Sequence, residues 1–504
     1  MVTACTGSGD SGAGSPASGS LSNAKHPDAG LVPGQSSLHW HNCTGADDVG
    51  LKCASLKVPV DYSKPGGRKL TLALSMHPAT APKSQQQGIM LVNPGGPGGS
   101  GLSLPGAIAP GLSPADAADY DIVGFDPRGV GSSSPELSCE PSFFKGISPD
   151  YIPSTKAAET TLVNRAKNYA AGCGKKFGWL LPHMTTKDSA RDMDAIRQAF
   201  GVGKLSYFGL SYGTYLGEVY GTLFPSRVHR MVLDSTVDPD GVWWADNIDQ
   251  DYAFQKRLEA FFSWVAANDS SYHLGTSASK VQAAFYKARN EVKAHPADGQ
   301  VGSVRFDEAF LDAGYSNQTW PGLAQALASY VAGGDPAGLI AQWQQAATQE
   351  ENENEFAVYN AVQCADVNWP RDWSQWDSAT RQVYKKAPFQ AWDNAWYNAA
   401  CAFWPVKGPA KPTDINGKGL PPVLVLQGTL DAATPYDGAR NAIKHLPTAH
   451  MVVEQGGGNH AEFPPDNDCS LGYLNRYLAS GAAPGKAGAA SASCPAGPDP
   501  SPGG

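Results

Sequence analysis

The pentapeptide Gly-Leu-Ser-Tyr-Gly at residues 209–213 restricts the fold of this chain more than any other segment. It has the form Gly-x-Ser-x-Gly, follows a short apolar run at 205–208, and precedes a helix-like run that begins at Thr214. Between a strand and a helix, this pattern is typical of a sharp turn that lifts the serine above a sheet edge. Glycines are needed there because side chains would collide with the neighbouring strand and helix. The sequence therefore predicts that Ser211 is a nucleophile at the end of a buried strand.

Short apolar runs that alternate with helical patterns indicate the class of fold. Five runs are suited to strands buried on both faces: residues 88–92, 121–125, 205–209, 228–233 and 423–426. Between Thr186 and Phe200 the apolar residues keep helical spacing, and Gly201 is placed to end the helix. Strands alternating with helices predict an α/β protein with a mainly parallel, doubly wound sheet.

A long insertion between residues 241 and 412 interrupts this alternation. It is polar and helical in pattern, and it holds eleven of the thirteen tryptophans, from Trp243 to Trp404. We expect most of these rings to fill the core of a helical cap, and three or four to line an apolar pocket over the sheet. The predicted units are a flexible tether at 1–37, a first part of the core at 38–240, the cap at 241–412, a second part of the core at 413–480, and a Gly/Ala/Pro-rich tail at 481–504 that winds over the surface.

A serine nucleophile needs a base, and the base needs an acid that orients it. In sheets of this kind the acid follows the serine along the chain and the histidine comes last. Asp431 lies on a loop just after the strand at 423–426, where such sheets carry their sites. Asp234 also ends a strand and is the alternative acid, but only Asp431 is followed closely by another strand and a histidine.

His460 is the predicted base. It follows an apolar run at 451–453 and a glycine-rich turn at 456–458, as expected for a base on the loop after the last strand. The other histidines precede the serine, precede the acid or border that strand: His39, His41, His77, His183, His229, His273, His295, His445 and His450.

The oxyanion of an acyl-transfer intermediate is usually held by two backbone amides. One comes from the residue after the nucleophile, here Tyr212, and the other from a loop after an early strand. The glycine-rich loop at 93–101 follows the strand at 88–92, and Gly96 is its expected donor. The same loop does not fit a phosphate-binding role, since it lacks Gly-Lys-Ser/Thr and dinucleotide-binding spacing.

Composition narrows the classes of function. The net charge of −9 leaves no basic footprint, so we expect no nucleic-acid partner. No run approaches the roughly 20 apolar residues of a membrane-spanning helix. The sequence has no His-Glu-x-x-His and no clustered ligand pattern, so we expect neither a metal nor a cofactor.

Nine cysteines suggest disulfides and an oxidising compartment. Eight fall into couples that are close in sequence: Cys43/Cys53, Cys139/Cys173, Cys364/Cys401 and Cys469/Cys494. The ninth, Cys5, ends a segment (residues 2–5) that resembles a bacterial lipobox, although no charged and apolar signal regions precede it. We therefore expect a protein that is secreted or attached to the outer cell surface, with Cys5 as a candidate lipid anchor.

Together these motifs resemble those of the proline iminopeptidase-like α/β-hydrolases, and more closely the secreted tripeptidyl aminopeptidases of filamentous Gram-positive bacteria. The resemblance runs from Cys53 to Leu478 and rests on the segments at 93–101 (NPGGPGGSG), 126–132 (DPRGVGS), 209–213 (GLSYG), 224–228 (FPSRV) and 428–435 (GTLDAATP). It implies a triad of Ser211, Asp431 and His460, with Thr434 beside the acid and the cap limiting access to chain ends. The chain departs from the pattern at Asn459, where a glycine is common, and at Pro94, where a histidine is usual outside the tripeptidyl branch.

The resemblance implies a serine exopeptidase that releases short peptides, tripeptides in this family, from the free amino termini of peptides or proteins. The substrate ammonium group then needs a buried carboxylate. Asp366, beside Cys364, is the preferred candidate, ahead of Asp372 and the acidic run at 350–355, which has the pattern of a solvated face. An esterase or lipase with the same triad is the alternative, because the mechanism does not separate esters from amides.

Overall fold

The structure is a computed structural model that describes residues 38–44, 50–461 and 467–503. Within these residues ten strands form one sheet. They are β1 His41–Asn42, β2 Lys52–Pro59, β3 Lys69–His77, β4 Gly88–Asn93, β5 Tyr120–Phe125, β6 Leu205–Leu210, β7 Val228–Asp234, β8 Val423–Gly428, β9 Ala449–Gln455 and β10 Ala489–Pro495.

The strand order is β1-β2-β3-β5-β4-β6-β7-β8-β9-β10, and every neighbouring pair from β5 to β10 is parallel. Only the β1, β2, β3 and β5 neighbours pair antiparallel. β4, β5, β6 and β8 are buried along their whole length, as their continuous apolar sequences require. The chain moves from β4 to β5 on one side and returns to β6 on the other, which opens a crevice at the carboxyl ends of the strands. The predicted mainly parallel, doubly wound sheet is confirmed.

Sixteen α-helices accompany this sheet in the described residues. Those of the core are α1 Leu104–Ile108, α2 Pro114–Asp119, α3 Lys156–Phe177, α4 Thr186–Ala199 and α5 Tyr212–Leu223, and, after the insertion, α15 Tyr436–His445 and α16 Asp468–Ser480. Those of the cap, between β7 and β8, are α6 Trp244–Ala267, α7 Asp269–Tyr272, α8 Ala278–Ala294, α9 Ser303–Tyr315, α10 Trp320–Gly333, α11 Ala337–Glu350, α12 Glu353–Asp366, α13 Trp373–Tyr384 and α14 Ala391–Asn398. None of the described helices is long and apolar enough to cross a membrane.

Five tryptophans of the cap stack on one another in a ladder. Trp376 lies between Trp369 (ring centroids 5.4 Å apart) and Trp373 (5.8 Å). Trp396 continues the ladder from Trp373 (4.6 Å) to Trp392 (5.7 Å). These rings pack the interior of the cap, where their large apolar area stabilises the helices that carry them.

The tail differs from its prediction. Residues 489–495 do not simply wind over the surface but form β10, which pairs parallel with the edge strand β9. The Cys469–Cys494 disulfide fastens this strand to α16. A sequence of alanine and serine gives little strand signal, so the pairing depends on the backbone edge that β9 offers.

All four expected cysteine couples form disulfides: Cys43–Cys53, Cys139–Cys173, Cys364–Cys401 and Cys469–Cys494. The candidate lipid anchor Cys5 lies outside the described residues, as does the whole predicted tether.

Candidate active site

Ser211 lies on the turn between β6 and α5 with φ 55° and ψ −127°. A side chain in this region is strained, at a cost of about 1–3 kcal/mol, and such strain is common at functional sites. The amide of Ser211 donates to the carbonyl of Asp234 (3.0 Å), which ties the turn to β7. A Cβ on Gly213 would lie 2.7 Å from the carbonyl oxygen of Asn93, so no larger residue fits beside the nucleophile. The sequence thus folds into the turn that was predicted.

Asp431 and His460 are in direct contact. His460 Nδ1 lies 3.0 Å from each carboxylate oxygen of Asp431. Thr434 completes the acid's environment, since its amide donates to Oδ1 (2.9 Å) and its hydroxyl to Oδ2 (2.9 Å). The alternative acid Asp234 lies at the end of β7, where its backbone oxygen accepts from the nucleophile's amide. The structure therefore brings the histidine to Asp431, with Thr434 behind it.

The pKa values of His460 and Asp431 shift in opposite directions from their usual values. Burial lowers the pKa of His460, but the charge of Asp431, its hydrogen bond and the weaker effect of the Asp234 charge outweigh burial, so the pKa lies above its usual value. Burial raises the pKa of Asp431, but His460 and the hydrogen bonds from Thr434 and Ser235 outweigh it, so the pKa lies below its usual value. Asp431 is therefore an anion at neutral pH, able to stabilise an imidazolium.

The glycine-rich loop packs directly against this turn. Gly95 has φ 101°, and a Cβ there would lie 2.6 Å from the carbonyl oxygen of Leu210 and 2.9 Å from the amide nitrogen of Tyr212. Gly96, with φ 102°, and Tyr212 both line the cavity above Ser211. In the described part of the chain neither of their amides donates a hydrogen bond. Two backbone donors are thus available beside the serine.

Asp126 holds the far end of the same loop. Its Oδ1 accepts from the hydroxyl of Ser100 (2.6 Å) and the amide of Gly101 (3.2 Å). Its Oδ2 accepts from the amide of Ser132 (2.8 Å). The carboxylate therefore fixes the loop from behind and takes no place in the cavity wall.

The cavity between sheet and cap has a volume of about 740 Å³. Ser211 and His460 open into it, and its wall carries six carboxylates but one lysine, Lys256, among the described residues. The carboxylates are Asp238, Asp246, Asp249, Glu355, Asp393 and Asp437. The wall is therefore polar and acidic. Burial raises the pKa of Asp246, Asp249, Glu355 and Asp393. A cationic ligand would favour their ionised form, so the wall suits such a ligand.

The expectation of an apolar pocket with three or four tryptophans is wrong. Trp243 is the one tryptophan among the described residues of the cavity wall, and the other rings are tyrosines and a phenylalanine: Tyr212, Tyr252, Phe254, Tyr315, Tyr359 and Tyr397. The indoles of the ladder are packed against one another instead. Helical spacing alone does not show whether a ring faces the cap's own core or the cavity.

The structure does not bring Asp366 to the cavity. Its carboxylate accepts from the amide (2.7 Å) and the hydroxyl (2.5 Å) of Thr186 at the start of α4. The same hydroxyl contacts the Tyr212 hydroxyl at 2.7 Å. Burial raises the pKa of Asp366 to about 7. We therefore correct its assignment as the amine anchor, because its hydrogen bonds support α4 and Tyr212. The other candidate, Asp372, caps α13.

Two residues near the site carry no sequence signal that singles them out. The Ser235 hydroxyl accepts from the amide of Ala461 (2.7 Å) and also hydrogen-bonds Asp431, so it joins the loops of acid and histidine. Glu355 belongs to the acidic run that had the pattern of a solvated face, yet it lines the cavity beside the glycine-rich loop. Only the fold brings these residues near Ser211.

Comparison with known proteins agrees with this geometry. Residues 88–463 match the family model described as the alpha/beta hydrolase fold. The tripeptidyl aminopeptidase of Streptomyces lividans is 40% identical over 454 residues, which cover 88% of this chain and 84% of that protein. Serine protease Hip1 of Mycobacterium tuberculosis is 29% identical and covered to 89% in both chains. A protein of the same organism named carboxylesterase B is 31% identical, over 91% of this chain and 92% of its own.

Proposed function

The chain belongs to the α/β-hydrolase family, and from that premise we propose that it is a serine exopeptidase that releases tripeptides from free amino termini. The observation that carries the proposal is the cavity rich in carboxyl groups into which Ser211 and His460 open. A cavity that lies between sheet and cap and has carboxylates in its wall favours a chain end that bears an ammonium group over the uncharged middle of a polypeptide. The similarity to the Streptomyces lividans tripeptidyl aminopeptidase supports the size of the released peptide.

In the proposed mechanism His460 accepts the proton of Ser211 as the serine oxygen attacks the scissile carbonyl carbon. Asp431 orients the ring through Nδ1 and stabilises the imidazolium that forms. The amides of Gly96 and Tyr212 donate to the oxyanion of the tetrahedral intermediate. The histidine then returns the proton to the leaving amine, which leaves an acyl-enzyme on Ser211. Water, activated by the same histidine, hydrolyses the ester and frees the peptide.

We assign Glu355 as the anchor for the substrate ammonium. Its Oε1 lies 3.6 Å from the point where a Cβ on Gly96 would stand, so it faces the loop that carries the proposed oxyanion donor. Burial raises its pKa to about 7, and no charged group of a described residue contributes to this shift. An ammonium group at this point would favour the ionised carboxylate and form a charge-assisted hydrogen bond.

The test is a set of p-nitroanilides of one, two and three residues, each with a free or an acetylated amino end, beside p-nitrophenyl acetate. We expect turnover of the free tripeptidyl substrate, little turnover of its acetylated form, and none with Ser211→Ala, which should also lose labelling by fluorophosphonates. Equal rates on free and acetylated peptides would exclude an aminopeptidase. Ester turnover with no peptide turnover would favour an esterase.

A separate variant tests Glu355 as the anchor for the substrate ammonium. Glu355→Gln keeps the shape of the side chain but removes its charge, so KM for the free tripeptidyl substrate should rise about tenfold while ester kinetics stay unchanged. Glu136→Gln, at an exposed glutamate outside the cavity, is the matched control. An unchanged KM in the Glu355 variant would remove this residue from the site.

We also propose that the protein acts outside the cytoplasm. Four disulfides support an oxidising compartment, and the lipobox-like segment at 2–5 supports attachment through Cys5. Mass spectrometry of the native protein tests both: a lipidated Cys5 supports attachment, and an unmodified Cys5 excludes it. Eight free thiols at the paired positions would overturn the exported location.

A further inference from the structure

The loop that carries His460 is held by the cap as well as by the core. The amide of His460 donates to the carbonyl of Tyr315 (2.8 Å), the last residue of α9. The amide of Asn317, two residues further, donates to the side-chain oxygen of Asn459 (2.9 Å). The ring of Tyr315 meets the imidazole edge to face, with centroids 5.5 Å apart. Residues 315–317, which we call the cap corner, thus contact both His460 and Asn459.

This corner is itself fixed from two sides. Arg257, on α6, donates to the Asn317 side chain, and its guanidinium packs so closely on Gly458 that a Cβ there would collide with it. The Asn317 side chain in turn donates to Asp499 (2.8 Å), in the segment that follows β10. The cap corner is therefore held in place by α6 and by the segment after β10, so it can support the loop that carries His460.

On the core side the same loop is held by residues just after the ends of β8 and β7. Leu430 donates to the carbonyl of Gly457 (2.7 Å), and Ala461 donates to Ser235 (2.7 Å). His460 therefore lies in a segment, residues 457–461, that two sets of hydrogen bonds hold, one to the cap and one to the core. Because a misplacement of about 1 Å can cost about 10²-fold in rate, loss of either set should be visible in turnover.

We propose that the cap is part of the general-base machinery, and that Asn459 is the positioning residue through which Asn317 of the cap holds His460 against Asp431. This deepens the proposed function, since it rests on His460 as the base. The cap then does more than select substrates: it keeps the base aligned whatever substrate is bound.

The test uses Asn459→Gly, which removes the acceptor, and Asn459→Asp, which keeps one. We expect Asn459→Gly to lower kcat about tenfold on both p-nitrophenyl acetate and the free tripeptidyl p-nitroanilide, with KM for the peptide within twofold. The acidic midpoint of the kcat/KM profile should move down, because a looser contact with Asp431 raises the histidine pKa less. Asn459→Asp should restore most of kcat. Asn164→Ala, at an exposed asparagine of α3, is the control.

An unchanged kcat and an unchanged acidic midpoint in folded Asn459→Gly would overturn the proposal. So would a loss of thermal stability with no change in either quantity. If that variant does not fold, Asn317→Ala frees the corner from Arg257 and Asp499, and the same two shifts are expected. Should the wild type cleave only the ester, the peptidase function fails, while the ester arm still decides the role of Asn459.

Discussion

At the scale of single residues, two aspartates compete for the role of the orienting acid. Asp431→Asn should lower kcat by about 10⁴, as in other triads, because an amide favours the wrong imidazole tautomer. Asp234→Asn should cost far less, since the substitution keeps the backbone oxygen that accepts from Ser211 and removes a charge whose effect on the pKa of His460 is smaller than that of Asp431. Steady-state kinetics with the tripeptidyl p-nitroanilide give kcat of both variants for comparison. A larger loss at Asp234 would reverse the assignment.

The pH dependence follows from the raised pKa of His460. The base must be neutral, so kcat/KM should fall as the pH drops through that raised pKa, above the value of a free histidine. Asp431→Asn removes the larger of the two charges that raise the pKa and leaves the smaller effect of Asp234 and the burial that lowers the pKa, so the acidic midpoint should move to lower pH. Profiles of both proteins on p-nitrophenyl acetate measure this. A midpoint that stays in place would mean that His460 does not titrate in the profile.

Residues at strand ends could be identified from sequence, and residues that act through distant loops could not. Ser211 and Asp431 each follow a recognisable strand, and His460 follows the next one. Ser235 acts on Ala461, 226 residues away, through a backbone with φ 62°. The local sequence around Ser235 predicts neither this long-range contact nor this dihedral angle. Asp366 was misplaced for the same reason, because its partner Thr186 lies 180 residues earlier.

At the scale of elements, the glycine-rich loop and the nucleophile turn must touch. Gly95→Ala would place a Cβ 2.6 Å from the Leu210 carbonyl oxygen and 2.9 Å from the Ser211 Cβ, at a φ that alanine disfavours. The loop should move away from Ser211 and kcat should fall by about 10²–10³, as when an oxyanion donor is lost. Gly66→Ala, where nothing lies within 4 Å, is the control. Stopped-time assays with p-nitrophenyl acetate suffice, and equal rates in the two variants would refute the contact's importance.

The helical cap was predictable as an element, but its inner faces were not. Trp373 and Trp376 lie one helical turn apart, as do Trp392 and Trp396, and this spacing suits either a core or a pocket. The rings pair with each other across helices, which leaves tyrosines and carboxylates for the cavity. Strand β10, in contrast, was not predictable as an element, because its own residues give little strand signal and it forms by pairing with the edge strand β9.

At the scale of the whole molecule, the charge distribution should govern encounter with substrate. The chain has a net charge of −9, and six of its carboxyl groups but one lysine lie in the cavity wall in the described residues. Attraction of an ammonium-ended peptide is screened by salt, whose Debye length is about 10 Å at 0.1 M. We expect kcat/KM for the free tripeptidyl substrate to fall between 0.02 and about 0.5 M NaCl, and that for the neutral ester to stay constant. Parallel salt dependences would contradict steering by the cavity.

The four disulfides do not interleave along the chain: each couple closes before the next one begins, with separations of 10, 34, 37 and 25 residues. A chain that leaves an export channel amino end first exposes each of these cysteines just before its partner, so oxidation can follow the order of emergence. Reshuffling of wrong pairs is then rarely needed. Under the proposed export, the yield of active protein should fall when a thiol oxidase is deleted from the host cell and should hardly change when a disulfide isomerase is deleted. Activity in the culture medium or cell envelope of the two deletion strains measures this.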